Sequence, residues 1–187
     1  MRRCALVLTF AALAAWAAPA KPQVTFTTSL GSFTVELEPE AAPATVANFL
    51  YYVRHGQYPG TTFHRVIPTF MVQGGGITAG GTEKAARAPV RNEARQAAAK
   101  GLRNVRGSIA MARRGDPDSA TCQFYVNVVD NPGLDYPSPD GYGYCVFGRV
   151  VKGMDTVDRI RAVPTGPGNQ PLTPVLITAA AEVKAGS

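Results

Sequence analysis

The chain has 187 residues, of which 45% are hydrophobic, so it can bury one good core and leaves little room for a second domain. Its formal net charge is +6. The charge would fall to about +4 without the first twenty residues, because Arg2 and Arg3 lie there, and so mild a charge does not by itself indicate a nucleic-acid-binding protein.

The first twenty residues predict an export signal. Two arginines precede an apolar stretch at residues 5–18, and residues 18–20 fit the A-x-A pattern of a cleavage site. The apolar stretch is shorter than the roughly 20 residues that a membrane-spanning helix needs, which argues against an N-terminal anchor. We therefore expect residues 1–20 to be a cleaved signal peptide and residues 21–187 to form one exported domain.

The first predicted elements are a hairpin and a helix. Residues 24–27 and 33–37 alternate apolar with polar side chains around a Ser-Leu-Gly-Ser turn, which is typical of a half-buried β-hairpin. After Pro43, which suits a first helical turn, apolar residues recur at helical spacing up to Val53. Gly56 stands where a C-terminal cap is expected.

Short strands dominate the rest of the chain. Strand-like runs follow at residues 65–72, 108–111, 123–129, 144–150 and 175–179. A second helix is predicted over residues 154–162, before Pro164. Many short strands with two helices favour a mostly β fold, a closed antiparallel β-barrel capped by two α-helices, because closure removes exposed strand edges.

Most catalytic templates are missing from the sequence. It contains no G-x-S-x-G and no G-K-[ST], and the glycines at 74–76 lack the last glycine of a dinucleotide fingerprint. His55 and His64 are the only histidines, and neither has a Cys or His partner at metal-ligand spacing. The sequence therefore predicts neither a cofactor nor a metal site.

Arg65 stands out because it lies within a run of large apolar residues. Burying a guanidinium without a partner costs free energy, so its presence there indicates a functional use. The neighbouring Phe70, Met71 and Gln73, taken singly, are more typical of core packing or of an ordinary surface amide. A strand that Pro68 bends can nevertheless present Arg65, Phe70 and Gln73 together on one open face.

Two segments of this chain resemble the signature of cyclophilin-type peptidyl-prolyl cis-trans isomerases, FHRVIP at 63–68 and FMVQGG at 70–75. SIAMA at 108–112, QFYVN at 123–127 and VFGRV at 146–150 follow in the order of the family. The resemblance covers about residues 23–181. The GGG at 74–76 and the SAT at 119–121 are most similar to the exported, periplasmic bacterial branch, in agreement with the predicted signal peptide.

The resemblance implies an eight-stranded barrel and a reaction without covalent chemistry, rotation about X-Pro peptide bonds. It implies that Arg65 donates to the prolyl nitrogen and that Gln73 holds the carbonyl that swings during rotation. The implied substrate-binding residues are His64, Phe70, Met71, Ala112, Arg113, Gln123, Tyr125, Leu134 and Tyr144. The implied partners are proline-containing peptides and unfolded exported proteins. The resemblance also implies a monomer that needs no cofactor and that binds neither nucleic acid nor, after signal cleavage, a membrane.

The sequence departs from the family at one wall of the site and leaves some alternatives open. Pro132 and Gly133 stand where many members carry an aromatic residue, often Trp, so sensitivity to the cyclic peptide cyclosporin is an open question.

A non-catalytic proline-peptide-binding chaperone could use the same apolar residues. Nine Lys and Arg at residues 84–114 could instead follow a phosphate backbone. Cys122 and Cys145 could form a disulfide or remain buried thiols.

Overall fold

An eight-stranded antiparallel β-sheet dominates the computed structural model, which describes residues 20–183. The predicted signal peptide lies outside these residues except for Ala20. The strands are β1 (Gln23–Thr28), β2 (Gly31–Leu37), β3 (Thr61–Ile67), β4 (Met71–Thr78), β5 (Ser108–Met111), β6 (Phe124–Asn127), β7 (Val146–Lys152) and β8 (Ile177–Glu182). The prediction of a mostly β fold with eight antiparallel strands is confirmed.

The sheet curls into a nearly closed barrel. The strand order is β3-β4-β6-β5-β7-β2-β1-β8, so β3 and β8 form the two edges. The edges meet through a few backbone contacts instead of a full ladder: Phe63 donates its N–H to the Val175 carbonyl at 3.0 Å, and Gly60 donates to the Ile177 carbonyl at 2.9 Å. The barrel is therefore nearly closed, whereas the sequence predicted a fully closed barrel.

The predicted strand at residues 65–72 is in fact the end of β3, a turn and the start of β4. Pro68 has no N–H for a strand ladder and ends β3, and the N–H of Phe70 donates back to the Ile67 carbonyl at 2.9 Å. The turn makes β3 and β4 antiparallel neighbours. It thereby brings Phe70 and Met71 beside residues that precede Pro68.

Residues 20–183 contain three α-helices where the sequence predicted two. They are α1 (Pro43–Arg54), α2 (Ala94–Ala99) and α3 (Met154–Arg161). The unpredicted α2 has the sequence ARQAAA. Alanine favours helix but leaves no periodic row of large apolar residues, so the hydrophobic pattern gave no signal for α2.

Aromatic side chains fill the interior of the barrel. The ring centroid of Phe26 lies 5.2 Å from that of Phe33 and 5.1 Å from that of Phe124, and all three side chains are buried. Phe49 of α1 covers this cluster and packs 5.0 Å from Phe147. Because the interior is solid, a ligand must bind on the outside of the barrel.

The described residues include no helix long and apolar enough to cross a membrane. Cys122 and Cys145 are both buried, free thiols in the structure. Of the two alternatives left open by the sequence, the structure therefore has the buried thiols.

Candidate active site

A row of paired residues crosses the outer face of four neighbouring strands. Arg65 of β3 pairs with Gln73 of β4, Gln73 pairs with Tyr125 of β6, and Tyr125 pairs with Ala110 of β5. Residues directly opposite each other in antiparallel strands point to the same face of the sheet. Strand pairing therefore places the Arg65 guanidinium, the Gln73 amide and the Tyr125 ring on one face of the sheet.

This surface contains a cavity of about 110 Å³. Nine of the eleven site residues predicted from the sequence line the cavity, namely Arg65, Phe70, Met71, Gln73, Ala112, Arg113, Tyr125, Leu134 and Tyr144. The predicted site residues thus come from β3, the β3–β4 turn, β4, β6 and the loops that follow β5 and β6. Residues far apart in the chain meet here.

Gln123 lies beside the cavity and not in its lining, and His64 lies elsewhere. The side chain of Gln73 donates to the Oε1 of Gln123 at 3.0 Å, so Gln123 is linked to the site. His64 faces a small separate hollow lined by Thr62, Ile77 and other residues. The β3–β4 register shifts between Phe63 and Arg65, so a β-bulge interrupts the alternation of side chains at His64.

The Arg65 guanidinium is held loosely. Its Nη1 lies 3.4 Å from the Oε1 of Gln73, which is at the long limit for a hydrogen bond. No carboxylate among residues 20–183 forms an ion pair with Arg65. The positive charge therefore remains available to a bound ligand.

Apolar side chains form a seat opposite Arg65, which we call the apolar seat: Phe70, Met71, Tyr125, Leu134 and Tyr144. Tyr125 and Tyr144 meet edge to face with ring centroids 6.1 Å apart. Burial raises the pKa of Tyr125 well above its ordinary value, so its hydroxyl keeps its proton at neutral pH. The seat suits a small apolar ring, and it lowers the local dielectric beside the guanidinium.

The Arg113 side chain supports one wall of the cavity instead of presenting a free charge. Its guanidinium lies 4.2 Å above the Tyr144 ring, donates to the Gly143 carbonyl at 3.0 Å and 3.2 Å, and forms an ion pair with Asp140. The hydrogen bond from Arg113 lowers the pKa of Asp140 to about 2. Only 3% of the Arg113 side chain is exposed. Asp140 could not be predicted from sequence patterns, because the pair joins residues 27 positions apart in two loops.

Intramolecular contacts occupy several of the cations at residues 84–114. Lys84 donates to two backbone carbonyls at 2.7 Å and 3.0 Å, and the Arg87 guanidinium lies 3.9 Å from the centre of a tyrosine ring. Arg106 forms an ion pair with Asp158 at 2.7 Å. These contacts hold the segment between β4 and β5 against the barrel. They also weaken the alternative that its cations bind a phosphate backbone.

Comparison with known proteins identifies relatives over most of the chain. The family model described as "Cyclophilin type peptidyl-prolyl cis-trans isomerase/CLD" matches residues 23–182. Peptidyl-prolyl cis-trans isomerase A of Dickeya dadantii (strain 3937) is 49% identical over 174 residues, which cover 91% of this chain and 89% of the relative. Peptidyl-prolyl cis-trans isomerase B of Escherichia coli (strain K12) is 51% identical over 145 residues, or 76% of this chain and 86% of the relative.

Solved structures share the fold. A crystal structure of a cyclophilin type peptidyl-prolyl cis-trans isomerase from Cryptosporidium parvum aligns with a TM-score of 0.73 at 23% identity, covering 88% of this chain and 98% of that chain. A structure of the same Cryptosporidium protein in the presence of the dipeptide Ala-Pro aligns with a TM-score of 0.72, covering 87% and 99% of the two chains.

Proposed function

The chain belongs to the cyclophilin-type peptidyl-prolyl cis-trans isomerase family, and from this membership we propose that it accelerates rotation about X-Pro peptide bonds in exported proteins. The observation that carries the proposal is the meeting of one unpaired guanidinium, Arg65, with the apolar seat around a single cavity. A proline ring fits the seat, and its nitrogen then lies toward the cation.

The chemistry of the bond explains why a guanidinium is useful. Resonance gives the C–N bond partial double-bond character, and uncatalysed rotation takes tens of seconds or more. A hydrogen bond from Arg65 to the prolyl nitrogen favours the twisted state, in which that nitrogen is pyramidal and its lone pair is free to accept. Shortening the timescale from about 30 s to about 1 ms requires roughly 6 kcal/mol, a magnitude that electrostatic stabilisation and orientation in a partly dry site can supply.

Other polar groups hold the peptide on either side of the rotating bond. Gln73, supported by Gln123, is proposed to bind the carbonyl that swings. Ala112 already donates its N–H to the Gln123 carbonyl at 3.0 Å, so its own carbonyl is the group it can offer to a substrate backbone. No covalent bond is broken in this scheme, and the rate increases because the twisted state is bound more tightly than the planar peptide.

Arg65→Ala tests the function against the alternative of a non-catalytic chaperone. Removal of one charged donor is expected to lower kcat/KM for a prolyl peptide by about 100-fold to 1,000-fold, while peptide affinity changes only a few-fold. Arg149→Ala is the matched control, because Arg149 lies on β7 with 65% of its side chain exposed and contacts Glu36. A wild-type protein that binds proline peptides without accelerating isomerisation would show that the chaperone alternative is right.

The exported context is a separate part of the proposal. The leader pattern at residues 1–20 and the likeness to periplasmic members support secretion of residues 21–187, which we propose act as a monomer. Unfolded exported proteins with exposed prolines would then be its substrates. Cell fractionation and N-terminal sequencing of the secreted form test this directly, and recovery of the uncleaved chain in the cytoplasm would contradict it.

A further inference from the structure

A buried polar cluster lies directly behind the apolar seat and does not line the cavity. Its centre is Asn104, which is 1% exposed and lies in the segment between α2 and β5. Polar side chains buried this deeply are almost always hydrogen-bonded, because an unpaired buried group costs free energy. The partners of Asn104 lie on three sides of the seat.

The first contact holds the floor of the seat. The ring of Tyr125 lines the cavity, and its hydroxyl donates to the Oδ1 of Asn104 at 2.8 Å. The same oxygen accepts a second hydrogen bond from the Asn127 amide at 3.2 Å. Van der Waals packing alone lets a ring shift, whereas a hydrogen bond at its far end sets its position and tilt.

The second set of contacts holds the segment that carries Leu134. The backbone N–H and the side-chain Nδ2 of Asn104 donate to the Oδ1 of Asp135 at 2.6 Å and 3.0 Å. The Asn104 carbonyl accepts the N–H of Asn131 at 2.7 Å. Asn131 in turn donates through its side chain to the Phe70 carbonyl at 2.9 Å. Residues on both sides of Leu134 are thus tied to Asn104.

The third contact reaches the opposite wall. The Nδ2 of Asn104 lies 3.5 Å from the Tyr144 carbonyl, and the N–H of Tyr144 donates to the Leu134 carbonyl at 2.9 Å. Four of the five residues of the apolar seat are therefore linked to Asn104, directly or through one further residue. The exception is Met71, which strand pairing holds in β4.

We propose that Asn104 is a positioning residue of the isomerase site, which fixes the apolar seat opposite Arg65 without touching the substrate. The proposal rests on the isomerase function proposed above. Truncation of Asn104 would disconnect the floor of the seat from its walls, while Arg65 and Gln73 would keep their places in β3 and β4. Rotation depends on where the prolyl nitrogen lies relative to the guanidinium, and a displacement of about 1 Å can slow an oriented reaction about 100-fold.

The test compares wild-type protein with Asn104→Ala and with Thr156→Ala. Thr156 of α3 is a matched control, because it is as deeply buried, at 2% exposed, and also makes a buried hydrogen bond. Its hydroxyl donates to the Ser32 carbonyl at 3.0 Å, and it does not line the cavity. Thermal unfolding, peptide affinity and the isomerisation rate are measured for each protein. Both variants are expected to unfold at lower temperature, but only Asn104→Ala should lose about tenfold in kcat/KM, with kcat falling more than affinity.

Tyr125→Phe is a second variant that keeps the ring in the cavity and removes only the hydroxyl. It should slow isomerisation about threefold, and adding Asn104→Ala should slow the reaction no further than Asn104→Ala alone, because both changes break the same link. Rates within twofold of wild type for Asn104→Ala and Tyr125→Phe would overturn the positioning role alone, and so would an equal loss in Thr156→Ala. A wild-type protein without isomerase activity would overturn both proposals.

Discussion

A β-carbon on Gly76 would lie 2.5 Å from the Cγ of Gln123 and 2.8 Å from its Nε2. Contacts that short do not occur, so only glycine at this position lets the Gln123 side chain lie across β4. From there Gln123 accepts the hydrogen bond of Gln73, which in turn contacts Arg65. The third glycine of the GGG segment thus supports the polar side of the site.

Gly76→Ala should therefore lower kcat/KM by about tenfold, because Gln123 must move and Gln73 loses its partner. The effect should disappear in a Gln123→Ala background, where the space is free, and this double-mutant cycle is the measurement. Gly115→Ala is the control, since a β-carbon there meets nothing within 4 Å. Equal losses for Gly76→Ala in both backgrounds would mean that the glycine acts on something other than Gln123.

Strand geometry explains which parts of the site could be predicted from the sequence. Alternation along a strand, with the antiparallel pairing of β3 and β4, is enough to place Arg65 and Gln73 on one face. The rule fails at His64, because the β3–β4 register shifts between Phe63 and Arg65, and a β-bulge of this kind could not be predicted from the sequence alone. Asn104 could not be found from alternation either, because its partners lie between 21 and 40 residues away, in β6 and in the loop between β6 and β7.

The ion pair between Asp140 and Arg113 predicts a specific loss of stability in acid. Arg113 lowers the pKa of Asp140 from 3.8 to about 2 in the folded state, so the pair stabilises the fold above about pH 4 and this contribution disappears as the pH falls to about 2. Asp140→Asn should lower the free energy of unfolding at neutral pH, and the difference from wild type should shrink across that range. Denaturant unfolding at several pH values measures it.

Asp155→Asn provides the comparison for Asp140→Asn. Asp155 pairs with Arg159 at 2.8 Å, but both side chains are more than half exposed, so water screens the interaction and little stability should be lost. A gap between wild type and Asp140→Asn that stays constant down to pH 2 would show that the Asp140 carboxylate contributes through something other than its charge.

The two buried thiols should be unreactive in the folded protein. Burial raises the pKa of Cys145 to about 12 and also raises the pKa of Cys122, and only the thiolate reacts with alkylating reagents. Iodoacetamide at about pH 8 should modify neither residue until denaturant unfolds the chain, as mass spectrometry of the labelled protein can show. A disulfide between them, detected under non-reducing conditions, would contradict the structure.

Gly133→Trp should supply the wall that many members of the family have and this chain lacks. A side chain at Gly133 meets nothing within 4 Å, and the neighbouring Leu134 lines the cavity, so an indole has room to cover the seat. The added apolar contact should tighten binding of cyclosporin by about tenfold or more, whereas Gly133→Ala should change it less than twofold. Trp16 is the only tryptophan of the sequence, so fluorescence of the new indole in protein without residues 1–20 reports its environment and the binding directly. Unchanged affinity in a folded Gly133→Trp protein would mean that access to the cavity is limited elsewhere, with the loop held by Arg113 and Asp140 as the next wall to alter.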